Sequence, residues 1–184
     1  MRSRAAGTVE CGPMSDQPIE QPSVWLVRAG LGARDAAAFE RTATIGVALP
    51  PVSDLAKTDR LEARNAIVSA LQANSKSEPK AMHFGRDVGY AVMLLRFVCE
   101  MCHLDRVMTP NAAAGDFMCG VITSDYRLER DPPVPGYYHV RGVDWIGKVS
   151  KDEIPARTLA TLRAPLAVYR PGAQPVLSDL VVWR

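Results

Sequence analysis

No stretch of this chain approaches the ~20 consecutive apolar residues of a membrane span. Met1 to Gln21 contains two arginines but no apolar run of the kind an export signal needs. The expectation is a cytoplasmic protein. Cysteine is scarce, with four among 184 residues, and without an export signal that points to reduced thiols rather than a disulfide framework. Charge of one sign is also lacking: 22 Lys+Arg against 20 Asp+Glu leave a formal +2. That balance excludes a global field strong enough to gather nucleic acid, so any such binding must rest on a local patch. There is no Gly-rich phosphate loop with its lysine and no Gly-x-Ser-x-Gly elbow, and the three histidines stand in unrelated contexts. The expectation is therefore a non-enzymatic protein without a cofactor.

What is present is ordinary globular material, 47% hydrophobic and 23% charged, enough for one domain with a sizeable core. Residues 1–22 are rich in Pro, Gly, Ser and Gln and read as a disordered tail, with Met14 a candidate start. Residues 23–170 read as the domain and 171–184 as a linker-like extension, in which 176–183 is either an edge strand or a flexible end. Val24 to Arg28, Ala33 to Arg41 and Thr44 to Leu49 predict strand, short helix, strand. Thr58 is placed to cap a helix whose Leu61, Val68 and Leu71 share a face. The strongest helical period follows, in Phe84, Val88, Val92, Leu95, Cys99 and Cys102. Arg106 to Thr123 reads as a hairpin, Tyr137 to Val149 as an extended strand, and Leu166 to Arg170 as a last strand. Ser150 with Glu153 forms a capping-box pattern, and Pro155 limits or bends the helix after it. Several strands with few intervening helices predict an α+β fold, a small curved β-barrel flanked by helices.

Cys99-Glu100-Met101-Cys102-His103 has the spacing of a c-type haem attachment motif, yet both cysteines fall on the apolar stripe and are expected to pack in the core. Outside this cluster Cys11, Cys119, His83 and His139 form no second paired motif, which argues against zinc. Asp152 and Glu153 are explained as first-turn carboxylates of a helix.

Two stretches set aromatic and basic side chains into strand-like runs, Val24 to Gly30 and Tyr137 to Val149. Such a combination can stack on a base while holding a phosphate. With them, in order, come Ile45-Gly46, Arg96-Phe97 with Val107-Met108-Thr109-Pro110, Gly120-Val121-Ile122 with Asp125-Tyr126, and Leu166-Ala167-Val168-Tyr169. In this series the chain resembles, from about Ser23 to Arg170, the EVE-type, PUA-like module found at the N-terminus of modification-dependent restriction endonucleases. The resemblance implies a PUA-like barrel that binds DNA or RNA and accepts a flipped, often methylated base in an aromatic-lined pocket. Extrusion costs a few kcal/mol, which stacking and edge hydrogen bonds must offset. Carried over by position, it nominates Trp25, Arg28, Tyr126, His139, Arg141 and Trp145 as nucleic-acid-binding residues. Trp25 and Trp145 are equally readable as core residues, Arg28 and Arg141 as partners of carboxylates, and His139 as a hydrogen-bonding strand residue.

The chain departs from the family pattern at Val47, where a tryptophan is common, and at Val92-Met93, where a Gly-Gln pair precedes Arg-Phe. Only 14 residues follow Arg170, too few for a nuclease, so cutting would fall to a separate subunit of a restriction or defence system. Two functions follow: a reader of modified bases, with DNA placed ahead of RNA as the partner, or a protein-interaction or regulatory subunit that kept the fold and lost the pocket.

Overall fold

Val24 to Val27 is the first strand of a mixed sheet, β1, and all four of its side chains are buried. The reason is its place between two neighbours in a sheet covered on both faces, which favours a continuous apolar run over alternation. The computed structural model describes residues 21–52, 55, 58–74 and 80–180. The expected tail 1–22 thus lies almost wholly outside the described residues.

A short 3-10 turn (Leu31–Ala33), α1 (Ala36–Thr42) and β2 (Thr44–Val47) follow β1, as the sequence predicts. Helix α2 (Arg60–Asn74) is capped by Asp59 rather than Thr58, because the Asp59 carboxylate accepts the backbone N–H groups of Leu61 and Glu62. Its fully buried positions are Ala63 and Ile67; of the expected face, Val68 and Leu71 pack partly buried against the core, whereas Leu61 is exposed.

Helix α3 (Lys80–Leu95) runs into a π-helical turn, Arg96–Glu100, in which Met101 N–H reaches the carbonyl of Arg96. The extra residue in that turn breaks the 3.6-residue period. Phe97, Val98 and Met101 point inward, and Cys99 and Cys102 are exposed, contrary to the expected core packing.

Strands β3 (Arg106–Asn111) and β4 (Asp116–Ile122) form the expected hairpin, followed by short β5 (Arg127–Leu128) and long β6 (His139–Ser150). The capping box closes as read: Ser150 Oγ accepts Asp152 N–H and Glu153 accepts Ser150 N–H around a 3-10 turn. Helix α4 (Ala156–Thr161) starts straight after Pro155, and β7 (Val168–Tyr169) follows. Residues 174–180 are neither strand nor linker. It is helix α5 (Gln174–Leu180), with Pro175 in its first turn and Leu177 buried. The Gln174 side-chain amide accepts Val24 N–H at 2.7 Å and donates to Val24 O at 2.9 Å, occupying the place of a neighbouring strand.

The sheet order is β2-β6-β4-β3-β1-β7, with β5 also on β6; β1 runs parallel to β3 and the other pairs are antiparallel. The sheet curls into a nearly closed barrel, the expected α+β class. Alternate residues of β1 divide the core. Trp25 and Val27 join Phe39, Ile45, Ile67, Leu94, Phe97 and Met118 on one face. Val24 and Leu26 join Met108, Phe117, Cys119 and Leu177 on the other. Among the described residues no helix is long and apolar enough to cross a membrane.

Candidate nucleic-acid interface

Each of the six nominated side chains makes at least one hydrogen bond within the protein. Arg28, just past the end of β1, donates from Nε to Leu166 O at 3.2 Å and from Nη2 to Leu162 O at 3.0 Å and Ala164 O at 2.8 Å. It thereby closes the carbonyl end of α4, the place where a helix favours a cation.

Arg141, on β6, does the same for the π turn. Its Nε donates to Phe97 O at 2.9 Å, Nη2 to Val98 O at 3.0 Å and Nη1 to Ser124 O at 3.2 Å, and it is 3% exposed. The guanidinium also lies 5.7 Å from the Phe97 ring centroid. Burial lowers its pKa, and the nearby Asp125 opposes that shift. Among the described residues neither arginine forms an ion pair with a carboxylate; both donate to main-chain carbonyls instead.

Tyr126 and His139 meet directly, their rings stacked with centroids 5.9 Å apart. His139 Nε2 lies 3.0 Å from Pro50 O, an obligate acceptor, so Nε2 carries the proton. Nδ1 of the neutral ring then accepts the Tyr126 hydroxyl at 3.0 Å. Burial pushes the His139 pKa below its ordinary value, with the Pro50 bond opposing. Trp25 donates its indole N–H to Asp105 Oδ2 at 2.8 Å, and Trp145 donates to Phe39 O at 3.1 Å. The fold brings Tyr126, His139 and Arg141 together on and beside β6, while Trp25, Arg28 and Trp145 hold separate junctions. Two of the departures, Val47 and Met93, are core positions too. Val47 is buried, and Met93 places its sulfur 3.2 Å from Ala167 N.

A different constellation occupies the end of the barrel where β1 finishes and β6 begins. Tyr137 is 4% exposed and donates its hydroxyl to Asp35 Oδ2 at 2.7 Å. Its ring meets Phe39 edge to face, with centroids 4.9 Å apart. Two glycines make room for it. A Cβ on Gly46 would come within 2.9 Å of Tyr137 Cβ, and one on Gly30 within 2.9 Å of the Tyr137 hydroxyl and 2.4 Å of Asp35 Oδ2. Burial, then the bond to Asp35, raises the Tyr137 pKa well above its ordinary value, so the phenol remains a donor. Arg34 and Leu31 stand exposed beside it, Arg34 Nε lying 3.4 Å from Asp35 Oδ2.

Sequence reading missed Asp35, Phe39 and Asp105. Gly30, Gly46 and Tyr137 lay within the quoted stretches but were not nominated; a glycine directly after an apolar run was the available signal. A groove of about 370 Å³ lies near the other end of β1, lined by Ser23, Arg170, Gln174 and Ser178 among others, and by none of the six. Among the described residues no three His, Cys, Asp or Glu side chains are grouped to hold a metal ion.

Fold and side-chain chemistry together define an α+β barrel module in which Arg28 and the buried Arg141 close helix ends and Tyr137 is held at one barrel mouth. The chain belongs to the family described as a domain of unknown function (DUF8426), which matches residues 52–164. No curated protein matches the chain, and no solved structure does.

Proposed function

We propose that this protein is a non-catalytic nucleic-acid-binding module that accepts an extruded base at one end of its barrel, DNA ahead of RNA, and serves as the recognition part of a restriction or defence system. The observation that carries this reading is the Tyr137 slot: an aromatic ring seated over the bare backbone of Gly46, with the Asp35 carboxylate at its polar edge and the exposed Arg34 beside it. An aromatic ring, a hydrogen-bond acceptor and a neighbouring cation are the chemical types that base recognition uses. The resemblance to EVE-type, PUA-like modules supports the same reading.

A second reading, a protein-interaction or regulatory subunit that kept the fold without a base pocket, is favoured by the internal bonding of Arg28 and Arg141. Fluorescence anisotropy separates the two. The probes are duplex and single-stranded oligonucleotides, unmodified or carrying 5-methylcytosine or N6-methyladenine, at two salt concentrations. Salt-sensitive binding, tightest for one modified strand, supports the reader, because phosphate contacts release counterions. Indifference to every oligonucleotide at low salt supports the interaction subunit.

A further inference from the structure

Cys99 and Cys102 both stand exposed where the π turn ends and the chain heads toward β3. Cys119, in contrast, is buried on β4, and desolvation pushes its thiol up to about 12. A thiol of that kind fills space, whereas an exposed one is open to reaction.

The backbone brings the exposed pair together. Glu100 closes the π turn and Met101 is extended, with φ −78° and ψ 123°. A helical residue followed by an extended one forms the centre of a reverse turn, whose first and fourth Cα atoms lie within about 7 Å. A disulfide spans about 4.4–6.8 Å between the same atoms. The Cys102 thiol is directed back over this turn, with Sγ 3.7 Å from the Glu100 carbonyl oxygen. Both ends of the turn are held: Cys102 N–H donates to Asp105 Oδ2 at 2.9 Å and Cys102 O accepts Asp105 N–H at 3.2 Å, while Arg141 holds the Phe97 and Val98 carbonyls just before Cys99. The surrounding charge is positive. The Arg141 guanidinium lies within electrostatic reach of both thiols, and Arg60, paired with Glu100, lies within reach of Cys99. Burial pushes the Cys99 thiol up, and Arg60 opposes that shift toward the thiolate, the form that attacks a disulfide.

We propose that Cys99 and Cys102 are a reversible modification site, a dithiol that closes to an intramolecular disulfide by exchange with a small disulfide of the glutathione class. In the first step one cysteine thiolate attacks a sulfur of the small disulfide, forming a mixed disulfide and expelling a thiolate. The second cysteine thiolate then attacks the protein sulfur of that mixed disulfide and expels the other half. The two cysteines lose two electrons, the small disulfide gains them, and the two cysteine protons end on the released thiols. Exposure of the bond leaves it open to the reverse reaction. Once closed, it ties the π turn to the turn carrying Asp105, and through that carboxylate to Ser23 and Trp25. The proposal is independent of the nucleic-acid reading.

The test equilibrates the full chain with mixtures of reduced and oxidised glutathione, quenches with acid, alkylates the remaining thiols and maps the products by peptide mass spectrometry. The wild type should lose two free thiols to a Cys99–Cys102 bond within one chain, and regain both in excess reduced glutathione. Cys99→Ser and Cys102→Ser should each stop at the mixed disulfide, with one glutathione on the remaining thiol of the pair. If a variant does not fold, the mapped wild-type bond decides alone. In urea without reductant the oxidised protein should unfold with an equilibrium constant about tenfold smaller than the reduced protein, the effect of closing a short ring. Glutathione adducts, bonds to Cys11 or bonds between chains, without a Cys99–Cys102 bond, overturn the proposal. So does a Cys99–Cys102 bond that raises the unfolding constant, because the folded turn would then have to distort to form it.

Discussion

Trp25 and Asp105, 80 positions apart in sequence, are joined by an indole N–H donating to a carboxylate oxygen at 2.8 Å. The same carboxylate accepts Ser23 N–H and Cys102 N–H, each at 2.9 Å. One buried side chain therefore ties the start of β1 to the turn that follows the π segment and leads into β3. Trp25 serves the frame here, the core alternative left open for it on the sequence.

Asp105→Ala strands three buried or half-buried N–H groups at once. The unfolding free energy should fall by about 3 kcal/mol, since an unmet buried donor costs roughly 1–3 kcal/mol and the losses are not additive. Urea denaturation followed by tryptophan fluorescence measures it. A change under about 0.5 kcal/mol would show that the carboxylate does not organise this junction.

Arg28 and Arg141 spend their donors on backbone carbonyls, so their replacement should alter stability and not phosphate binding. Arg141→Ala is expected to cost about 3 kcal/mol of folding stability, as charge-assisted bonds to carbonyls are lost. In conservative Lys variants that still fold, the slope of log affinity against log salt should match the wild type. A drop of about 0.9 per arginine would instead place that side chain on a phosphate.

His139 gives folding a defined pH dependence. Burial holds its folded-state pKa below the unfolded value, so its contribution to stability is full above the unfolded pKa, near 6.5. As pH falls through that value the unfolded chain takes up the proton first, and stability declines until the folded pKa is reached. Chemical denaturation at pH 8, 7, 6 and 5 should show this decline in the wild type. His139→Gln should remove most of that slope; an unchanged slope would assign it to other groups.

Gly30 and Gly32 share positive φ, at +74° and +64°, but differ in their surroundings. Gly32→Ala meets open space and should cost about 1 kcal/mol for the left-handed backbone alone. Gly30→Ala adds a collision with Asp35 and the Tyr137 hydroxyl and should cost at least 2 kcal/mol more than that. Thermal unfolding of the two variants side by side decides the matter; equal costs would mean the Asp35–Tyr137 contact yields freely.

The local features legible in the sequence are those a few neighbouring residues create. The hairpin of β3 and β4 and the capping box of Ser150 and Glu153 formed where patterns of spacing placed them. The π turn at Arg96–Glu100 carried no such signal, and it moved Cys99 and Cys102 from the expected core to the surface. Asp59 displaced Thr58 as the cap of α2 by a shift of a single residue. The C-terminal segment became helix α5 because Leu177 finds a buried site on the sheet and Gln174 finds the backbone of Val24, contacts made across 150 positions of sequence.

Apolar patterning in the sequence by itself determined the α+β class, the early strand-helix-strand and the long β6, because burial of alternating or continuous apolar residues is a property of each segment. The six aromatic and basic residues were nominated by the resemblance, not by that patterning. What each of them does was decided only by tertiary structure. A guanidinium can donate to a phosphate or to a carbonyl, and which one it meets depends on the chain end folded against it: the π turn for Arg141 and the end of α4 for Arg28. The same holds for the grouping of Gly30, Asp35, Gly46 and Tyr137, since Asp35 and Tyr137, 102 positions apart, become neighbours only when β6 closes against β2.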